Sequence, residues 1–199
     1  MGKRNASGQW KASQITQDQT VENISEVQRI EDQHPNENKT AIQRGRLLGQ
    51  LQPLRAFGDV QYKWSKELHE NVINVVYGRP VVPMQNYLTP PYLIADPVVS
   101  HREITNEDKF VILATDGLWE KVSSDHAVKL IGCYLDQLEH GDAQQENGAT
   151  KLIKYALGKG SDANLANMLS LPNNFKRHFH DDITVTIVYF DSKKIDSKL

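Results

Sequence analysis

Three carboxylates stand directly beside two apolar segments of this sequence, and their positions suggest a metal site. Asp116 follows the run "FVILAT", and Asp181 and Asp182 precede the run "ITVTIVYF". An ionised carboxylate close to a hydrophobic core is costly unless a cation or strong hydrogen-bond donors compensate its charge. Carboxylate oxygens suit Mg²⁺ or Mn²⁺. Zinc fits less well, because the single cysteine, Cys133, falls in a predicted helix and the histidines show no ligand spacing.

The same acids are also compatible with a surface that binds no metal. An Asp-Gly pair after a strand is commonly a turn, and paired aspartates before a strand are commonly solvated. A haloacid-dehalogenase-like phosphatase would need a nucleophilic aspartate two residues before Asp116, where Ala114 stands. The sequence contains neither a G-x-x-x-x-G-K-[ST] nor a G-x-G-x-x-G motif. His178 and His180 flank the acidic pair and are interpreted as exposed loop histidines.

The elements that would position these acids are two strands with helices between them. "FVILAT" (110–115) is continuously apolar and β-branched, which predicts a strand covered on both faces. "ITVTIVYF" (183–190) alternates and predicts a final strand. Apolar residues at helical spacing predict helices over 21–33, 124–138, 149–157 and 165–169, and Ser123 and Ser124 are candidate N-caps of the second helix. Strands and segregated helices together predict an α+β fold.

Composition limits the class of protein. The 199 residues are 39% hydrophobic and 24% charged, which is sufficient for one domain with a core. The formal net charge of -2 argues against nucleic acid or an anionic membrane surface as a partner. No apolar run is long enough for a transmembrane helix. One cysteine excludes an internal disulfide framework and is consistent with a reducing compartment.

A proline-rich stretch divides the two halves of the chain. Residues 72–97 hold five of the eight prolines. Proline lacks the backbone N–H and disfavours a helical conformation in the residue before it. We therefore predict a surface loop over 72–97 that runs extended and contributes no regular helix.

Three segments in order resemble signature segments of the metal-dependent (type 2C) serine/threonine protein phosphatase family. They are "LQPLRAFGD", "FVILATDGLWEKVSSDHAV" and "HDDITVTIVYF". The strings "RLLGQLQPLRAFGDVQYKW", "LTPPYLIADPVVSHREI" and "MLSLPNNFKRHFHDDIT" resemble one branch of that family, the pyruvate dehydrogenase phosphatase catalytic subunits. The resemblance covers essentially the whole chain.

The resemblance implies a fold and a metal site. The family fold is an α-β-β-α sandwich, in which two antiparallel sheets flanked by helices carry a dinuclear Mg²⁺ or Mn²⁺ site. Asp116 and Asp181 match carboxylates that bind the first metal, and Glu120 matches the position of a weaker third metal. Asp182 matches a position that orients Asp181.

Further residues match supporting positions of the family. Arg55, Gly58 and Asp59 are implied either to hold the loops of the site or to serve in packing. Gly117 is implied to support the metal ligands, and Trp119 is interpreted as a core residue. The implied reaction is in-line attack on a phosphoserine by water that two metals activate. The branch implies the pyruvate dehydrogenase complex as substrate, the mitochondrial matrix as location, and docking to a lipoyl domain and a regulatory subunit.

The sequence also departs from the family pattern. It contains no "DGHGG"-type segment, which in the family carries an aspartate that bridges both metals. We therefore expect residues 1–199 to match the C-terminal portion of one phosphatase domain, without its N-terminal strands, and to be inactive alone. Two alternatives remain open. One is a non-catalytic regulatory chain that binds the dehydrogenase complex or a complete phosphatase through 72–97. The other is a plain α+β domain with solvated acids and no metal.

Overall fold

The computed structural model describes residues 1–78, 85–141 and 146–190 of the chain. Within these ranges the strands are β1 (Gly2–Arg4), β2 (Trp10–Ala12), β3 (Ile42–Gln43), β4 (Arg46–Leu47), β5 (Asp108–Ala114) and β6 (Val185–Tyr189). The helices are α1 (Ile24–Gln33), α2 (Lys66–Leu68), α3 (Asn74–Tyr77), α4 (Asp116–Trp119), α5 (Ser124–Glu139), α6 (Gly148–Gly158), α7 (Asp162–Leu169) and α8 (Asn173–Phe179). Mixed strands and helices confirm the predicted α+β class.

Contacts divide the chain into two compact units. The first joins Met1–Ile15 to the residues from Arg102 onward, and the second is Thr16–His101. The prediction that 1–199 is a portion of one phosphatase domain stays a prediction. Across the residues that the structure describes, no helix is both long and apolar enough to cross a membrane.

The first unit contains a four-stranded antiparallel sheet. Its strand order is β2-β1-β5-β6. Residue pairs run from Phe110 opposite Tyr189 to Ala114 opposite Val185. Because β5 and β6 are antiparallel, the end of β5 and the start of β6 lie at the same edge of the sheet.

Burial along β5 alternates, so one prediction for this strand is wrong. Phe110 and Ile112 are buried in a core with residues of α4, α5 and α6, whereas the Leu113 side chain is 54% exposed. The continuous apolar run predicted cover on both faces. In the described structure one face packs on the helices and the other is open, which gives the period of two that antiparallel strands follow.

Local signals placed three helices of this unit, α5, α6 and α7, correctly. Of the two predicted N-cap candidates, Ser123 caps α5: its hydroxyl accepts a hydrogen bond from the His126 backbone N–H (3.3 Å), and Ser124 is the first helical residue. The helices predicted over 149–157 and 165–169 are α6 and α7. Helix α8 was not predicted. Its two aromatic residues, Phe175 and Phe179, are both about half exposed, so it has no buried apolar stripe that the sequence could reveal.

A buried carboxylate ties β1 to β5 in the same unit. Asp108 is 1% exposed and accepts hydrogen bonds from the Thr105 backbone N–H and hydroxyl, both at 2.9 Å. Arg102 donates to it at 3.0 Å, and the Lys3 ammonium lies 3.7 Å away. Burial alone would raise the pKa of Asp108, but the Thr105 hydrogen bonds and the charges of Arg102 and Lys3 bring that pKa below its ordinary value.

The second unit has its own core around α1 and a short hairpin of β3 and β4. Helix α1 begins at Ile24, and the Asn23 side chain accepts a hydrogen bond from the Ser25 N–H at 3.2 Å. The predicted helix began at Val21. Ile24 is 81% exposed, so it does not belong to the apolar face that its spacing predicted. The core residues are Ile30, Ala41, Leu47, Leu48, Leu54, Tyr62, Tyr87, Tyr92 and Leu93.

The proline-rich stretch 72–97 differs from its prediction. Residues 72–77 are helical, in a π-helical turn (His69–Ile73) that continues into α3. Tyr87 and Tyr92 are buried, at 4% and 0% exposure. The prediction of an extended surface loop without helix is therefore wrong for these parts, because the first proline of the stretch comes only at Pro80 and the aromatic rings fill the core. Residues 79–84 lie outside the described residues.

A polar cluster holds this stretch to the end of α1. Glu37, 3% exposed, accepts hydrogen bonds from the hydroxyls of Thr89 and Tyr92. The imidazole of His34 stacks on the Tyr92 ring with centroids 4.3 Å apart, and its Nδ1 lies 2.8 Å from the Thr89 hydroxyl. The His34 Nε2 atom is buried without a hydrogen-bond partner among the described residues, so the cluster is held together by the Glu37 hydrogen bonds and by the contacts of His34 with Thr89 and Tyr92.

Candidate functional site

The carboxylates predicted to bind metal lie at one edge of the four-stranded sheet, where β5 ends and β6 begins. The ladder between β5 and β6 continues one step beyond Ala114, since the Thr115 N–H donates to the Thr184 carbonyl at 3.1 Å. Asp116 therefore follows the last paired residue of one strand, and Asp182 lies two residues before Thr184 on the facing segment. The antiparallel register alone brings these two chain segments side by side.

The Thr115 side chain joins the two segments a second time. Its hydroxyl donates to the Asp182 carbonyl at 2.9 Å and accepts from the Thr184 N–H at 3.0 Å. Sequence reasoning did not single out Thr115. The only signal was a hydroxyl residue between an apolar strand and an aspartate, a pattern too common to be specific.

Gly117 permits a close approach between the same segments. A Cβ at this position would stand 2.5 Å from the Asp182 carbonyl oxygen and 3.1 Å from Cγ1 of Ile183. A side chain would push the segments apart, so only glycine fits without a shift. The contact is steric, and the supporting role that the resemblance implied for Gly117 at a metal site stays a prediction.

The acidic side chains at this edge are exposed. Asp116, Glu120, Asp181 and Asp182 all lie at the surface, and none forms an ion pair with a residue that the structure describes. The argument that these acids need a cation because they are buried is therefore wrong in the described structure. The segments after β5 and before β6 both lie at the exposed edge of the sheet. Their charges are compensated by water or by a bound cation.

Backbone amides orient two of these carboxylates. One oxygen of Asp116 accepts from the Gly117 N–H at 3.0 Å, and one oxygen of Asp181 accepts from the Asp182 N–H at 2.7 Å. The second oxygen of each accepts no hydrogen bond from a described residue. These open, hard oxygen donors on a fixed backbone suit Mg²⁺ or Mn²⁺.

The third predicted ligand, Glu120, directly follows helix α4 and lies one turn from Asp116. The Glu120 N–H donates to the Asp116 carbonyl at 2.8 Å, so both acids belong to one helical turn. Trp119 was interpreted as a core residue, and this is wrong. Its indole is 36% exposed, and the indole N–H donates to the Ala114 carbonyl at 3.1 Å, which ties α4 back to β5.

Within the described ranges, no three His, Cys, Asp or Glu side chains are gathered as a group that could hold a metal ion. The ligand set Asp116, Glu120 and Asp181 therefore stays a prediction. The residues present fit a divalent cation as a partial set of ligands, with other oxygens completing the coordination.

The two histidines near the acidic pair differ in their surroundings. His178 is exposed but lies on helix α8, not in a loop as predicted. His180 lies just beyond that helix, and its Nδ1 is 3.1 Å from the Asp181 carbonyl oxygen. Neither observation assigns them a chemical role.

Arg55 and Asp59 belong to the second compact unit. The Arg55 guanidinium forms two hydrogen bonds to the buried Glu26 carboxylate, one of them at 2.9 Å from Nε, and donates to the Asp96 carbonyl at 3.0 Å. The hydrogen bond from Arg55 lowers the pKa of Glu26, with Arg29 adding to the effect against burial. Asp59 adopts a left-handed conformation (φ 45°) at the start of a 3-10 turn.

Comparison with known proteins agrees with the resemblance. Residues 2–165 match the family model described as protein phosphatase 2C. The chain is 35% identical to the bovine mitochondrial [pyruvate dehydrogenase [acetyl-transferring]]-phosphatase 1, over 96% of this chain and 43% of the relative. It is 35% identical to the human mitochondrial phosphatase 2 of the same name, over 98% of this chain and 44% of the relative.

A protein phosphatase 2C homolog of Schizosaccharomyces pombe is 34% identical, over 98% of this chain and 48% of the relative. The chain thus spans less than half the length of these curated relatives. The family match covers most of the chain and includes the segments around Arg55 and Asp116. The predicted resemblance is confirmed, and the chain belongs to the protein phosphatase 2C family.

Proposed function

We propose that this chain contributes the Asp116–Asp181 edge to the metal site of a Mg²⁺- or Mn²⁺-dependent protein serine/threonine phosphatase. One observation carries the proposal. Two exposed carboxylates, each oriented by a backbone N–H, stand on chain segments that the Thr115 hydroxyl and Gly117 hold together. Family membership supplies the reaction class.

The residues of this edge have distinct roles in the proposed reaction. Asp116 and Asp181 bind the cation through their open oxygens, and Glu120 offers a weaker additional ligand. The Asp182 backbone N–H orients the Asp181 carboxylate. When bound, two such ions lower the pKa of a water molecule and neutralise charge on the phosphoryl oxygens. The chain itself then needs no nucleophilic side chain.

We further propose the substrate and setting that the names of the relatives suggest. The bovine and human relatives are named as mitochondrial phosphatases of pyruvate dehydrogenase. A phosphoserine of that dehydrogenase is the proposed substrate, and the mitochondrial matrix is the proposed location. A lipoyl domain and a regulatory subunit are proposed partners.

The isolated chain is proposed to be inactive. Its sequence contains no "DGHGG" segment, so the aspartate that bridges both metals in the family has no counterpart here. Mg²⁺ retains its waters unless several fixed oxygens compete for it, so two or three carboxylates should bind it weakly.

A phosphatase assay tests this function. The substrate is a phosphoserine peptide from pyruvate dehydrogenase, with Mn²⁺ present. The chain is assayed alone and joined to the N-terminal portion of the bovine relative. We expect turnover only from the joined protein. Asp116→Asn or Asp181→Asn should reduce it more than about 100-fold, since even residues that merely orient ligands are worth about 10- to 100-fold.

The matched control is Asp162→Asn, which changes an exposed aspartate in the first turn of α7. Its activity should equal that of the parent. A folded but inactive joined protein, or full activity in Asp116→Asn, would contradict the proposed function.

A second candidate is a non-catalytic chain that binds the dehydrogenase complex or a complete phosphatase through 72–97. The observation in its favour is on α3, where the adjacent Val75 and Val76 are 75% and 74% exposed. Binding that survives Asp116→Asn but is lost in Val75→Ser/Val76→Ser would favour it. A plain domain without metal would show no change of thermal midpoint with Mn²⁺.

A further inference from the structure

Thr115 makes three hydrogen bonds across the junction of β5 and β6. Its backbone N–H donates to the Thr184 carbonyl at 3.1 Å. Its hydroxyl donates to the Asp182 carbonyl at 2.9 Å and accepts from the Thr184 N–H at 3.0 Å. A hydroxyl has one proton to donate and lone pairs to accept, so it satisfies both backbone groups at once.

These bonds place Thr115 between the two proposed metal ligands. It immediately precedes Asp116, and the carbonyl that it holds belongs to Asp182, the residue after Asp181. Gly117 approaches the same carbonyl so closely that a Cβ there would stand 2.5 Å from its oxygen. The Asp182 carbonyl therefore accepts a hydrogen bond from the Thr115 hydroxyl and lies close to Gly117.

We propose that Thr115 is a positioning residue, whose hydroxyl sets the spacing between Asp116 and Asp181 for a divalent cation. This inference rests on the proposed function. Neither carboxylate is held by an ion pair or by a second hydrogen bond from a described residue. The relative position of their open oxygens consequently depends on the backbone of the two segments, and Thr115 is the side chain that joins these segments directly.

Loss of the hydroxyl should loosen the spacing without unfolding the chain. Thr115, Asp182 and Thr184 are exposed, so water can replace both hydrogen bonds to the hydroxyl. Water gives no fixed distance between the segments. A metal site with imprecise ligands binds more weakly, which is the usual result of removing a residue that orients a ligand.

The experiment is a Mn²⁺ titration of the full chain, in which electron paramagnetic resonance measures the free ion. Thr115→Val keeps the side-chain shape and removes the hydroxyl, whereas Thr115→Ser keeps the hydroxyl. The matched control is Thr186→Val, since Thr186 is exposed on β6 and its hydroxyl bonds to no described residue. We expect a Kd about tenfold weaker for Thr115→Val, and wild-type Kd values for the serine variant and the control.

A second readout needs no metal. Amide hydrogen exchange at Thr184 should be faster in Thr115→Val than in the wild type and unchanged in Thr115→Ser, because only the valine removes the acceptor of that N–H. Circular dichroism checks that each variant is folded. If Thr115→Val does not fold, both measurements are made on Thr115→Ala, which removes the same hydroxyl without the β-branch.

The outcomes separate this inference from the function on which it rests. Wild-type Mn²⁺ affinity in the folded Thr115→Val variant, with weakened binding in Asp116→Asn, overturns the role of Thr115 and leaves the metal site standing. No saturable Mn²⁺ binding by the wild-type chain overturns the inference, because Asp116 and Asp181 would then form no cation site in this chain. The proposed function is judged separately, by turnover of the joined protein. Weakened binding in Thr115→Ser as well as in Thr115→Val would also contradict the inference, since the hydroxyl would not be the decisive group.

Discussion

Replacing Arg55 with methionine is expected to destabilise the unit formed by Thr16–His101. The Glu26 carboxylate is 3% exposed and receives hydrogen bonds from two arginines, Arg55 and Arg29. Arg55→Met removes one of these partners and also frees the Asp96 carbonyl. It leaves a buried negative charge with a single cation beside it.

The magnitude follows from the burial of the pair. Removing one partner of a buried ion pair costs about 3–5 kcal/mol, because the remaining charge is left uncompensated. Arg29 stays 3.0 Å from the carboxylate and the Arg55 side chain is itself 19% exposed, so we expect a loss of about 2–3 kcal/mol in the free energy of unfolding, below the full range. The double variant with Glu26→Gln should lose less than the sum of the two single variants.

Urea unfolding followed by circular dichroism measures this loss, with amide exchange in α1 as the local readout. The matched control is Arg46→Met, since Arg46 is exposed and its side chain donates, among the described residues, to the Gln50 carbonyl alone. This control should stay within about 0.5 kcal/mol of the wild type. An equally small change for Arg55→Met, or strict additivity with Glu26→Gln, would refute the reasoning.

Three further predictions concern the fold. Burial lowers the pKa of His34 in the folded chain, so the unfolded chain binds the proton more readily. Stability should therefore fall as the pH drops below about 6.5. A plot of thermal midpoint against pH should be flatter for His34→Gln than for the wild type. Gly132→Ala would place a Cβ 2.4 Å from the Trp10 ring, and urea unfolding should show a loss of about 1–3 kcal/mol from overpacking. Ile112→Ala should cost about 2–5 kcal/mol because that side chain is buried, whereas Leu113→Ala on the open face should cost less than about 1 kcal/mol.

Each of these predictions has an internal comparison. The exposed His101, replaced by glutamine, should leave the pH profile unchanged, and identical slopes for wild type and His34→Gln would contradict the first prediction. Gln137→Ala on the exposed side of α5 should have little effect, and an equally stable Gly132→Ala would contradict the second. Equal losses at the two β5 positions would mean that both faces of the strand are covered.

Much of the secondary structure could be predicted because its signals are local. Helix α5 has a serine N-cap and an apolar stripe at helical spacing, and both belong to one continuous segment. The helical residues 72–77 differ from the prediction because the loop was drawn back to Val72, although its first proline is Pro80 and nothing before it prevents a helix. The open face of β5 could not be predicted, because Leu113 is as apolar as its buried neighbour Ile112 and only packing distinguishes them.

The sequence by itself determined the family and the location of the candidate ligands, since the segment around Asp116 and the acidic pair Asp181–Asp182 are short, ordered motifs. Only the tertiary structure decided which carboxylates are buried. Glu26 and Asp108 are enclosed and paired, whereas Asp116 and Asp181 are exposed at the sheet edge. The reason is physical: the environment of a carboxylate depends on partners distant in the chain. Arg55 and Glu26 are 29 positions apart in the sequence, and Thr115 and Asp182 are 67 apart. No local motif encodes contacts at such sequence separations.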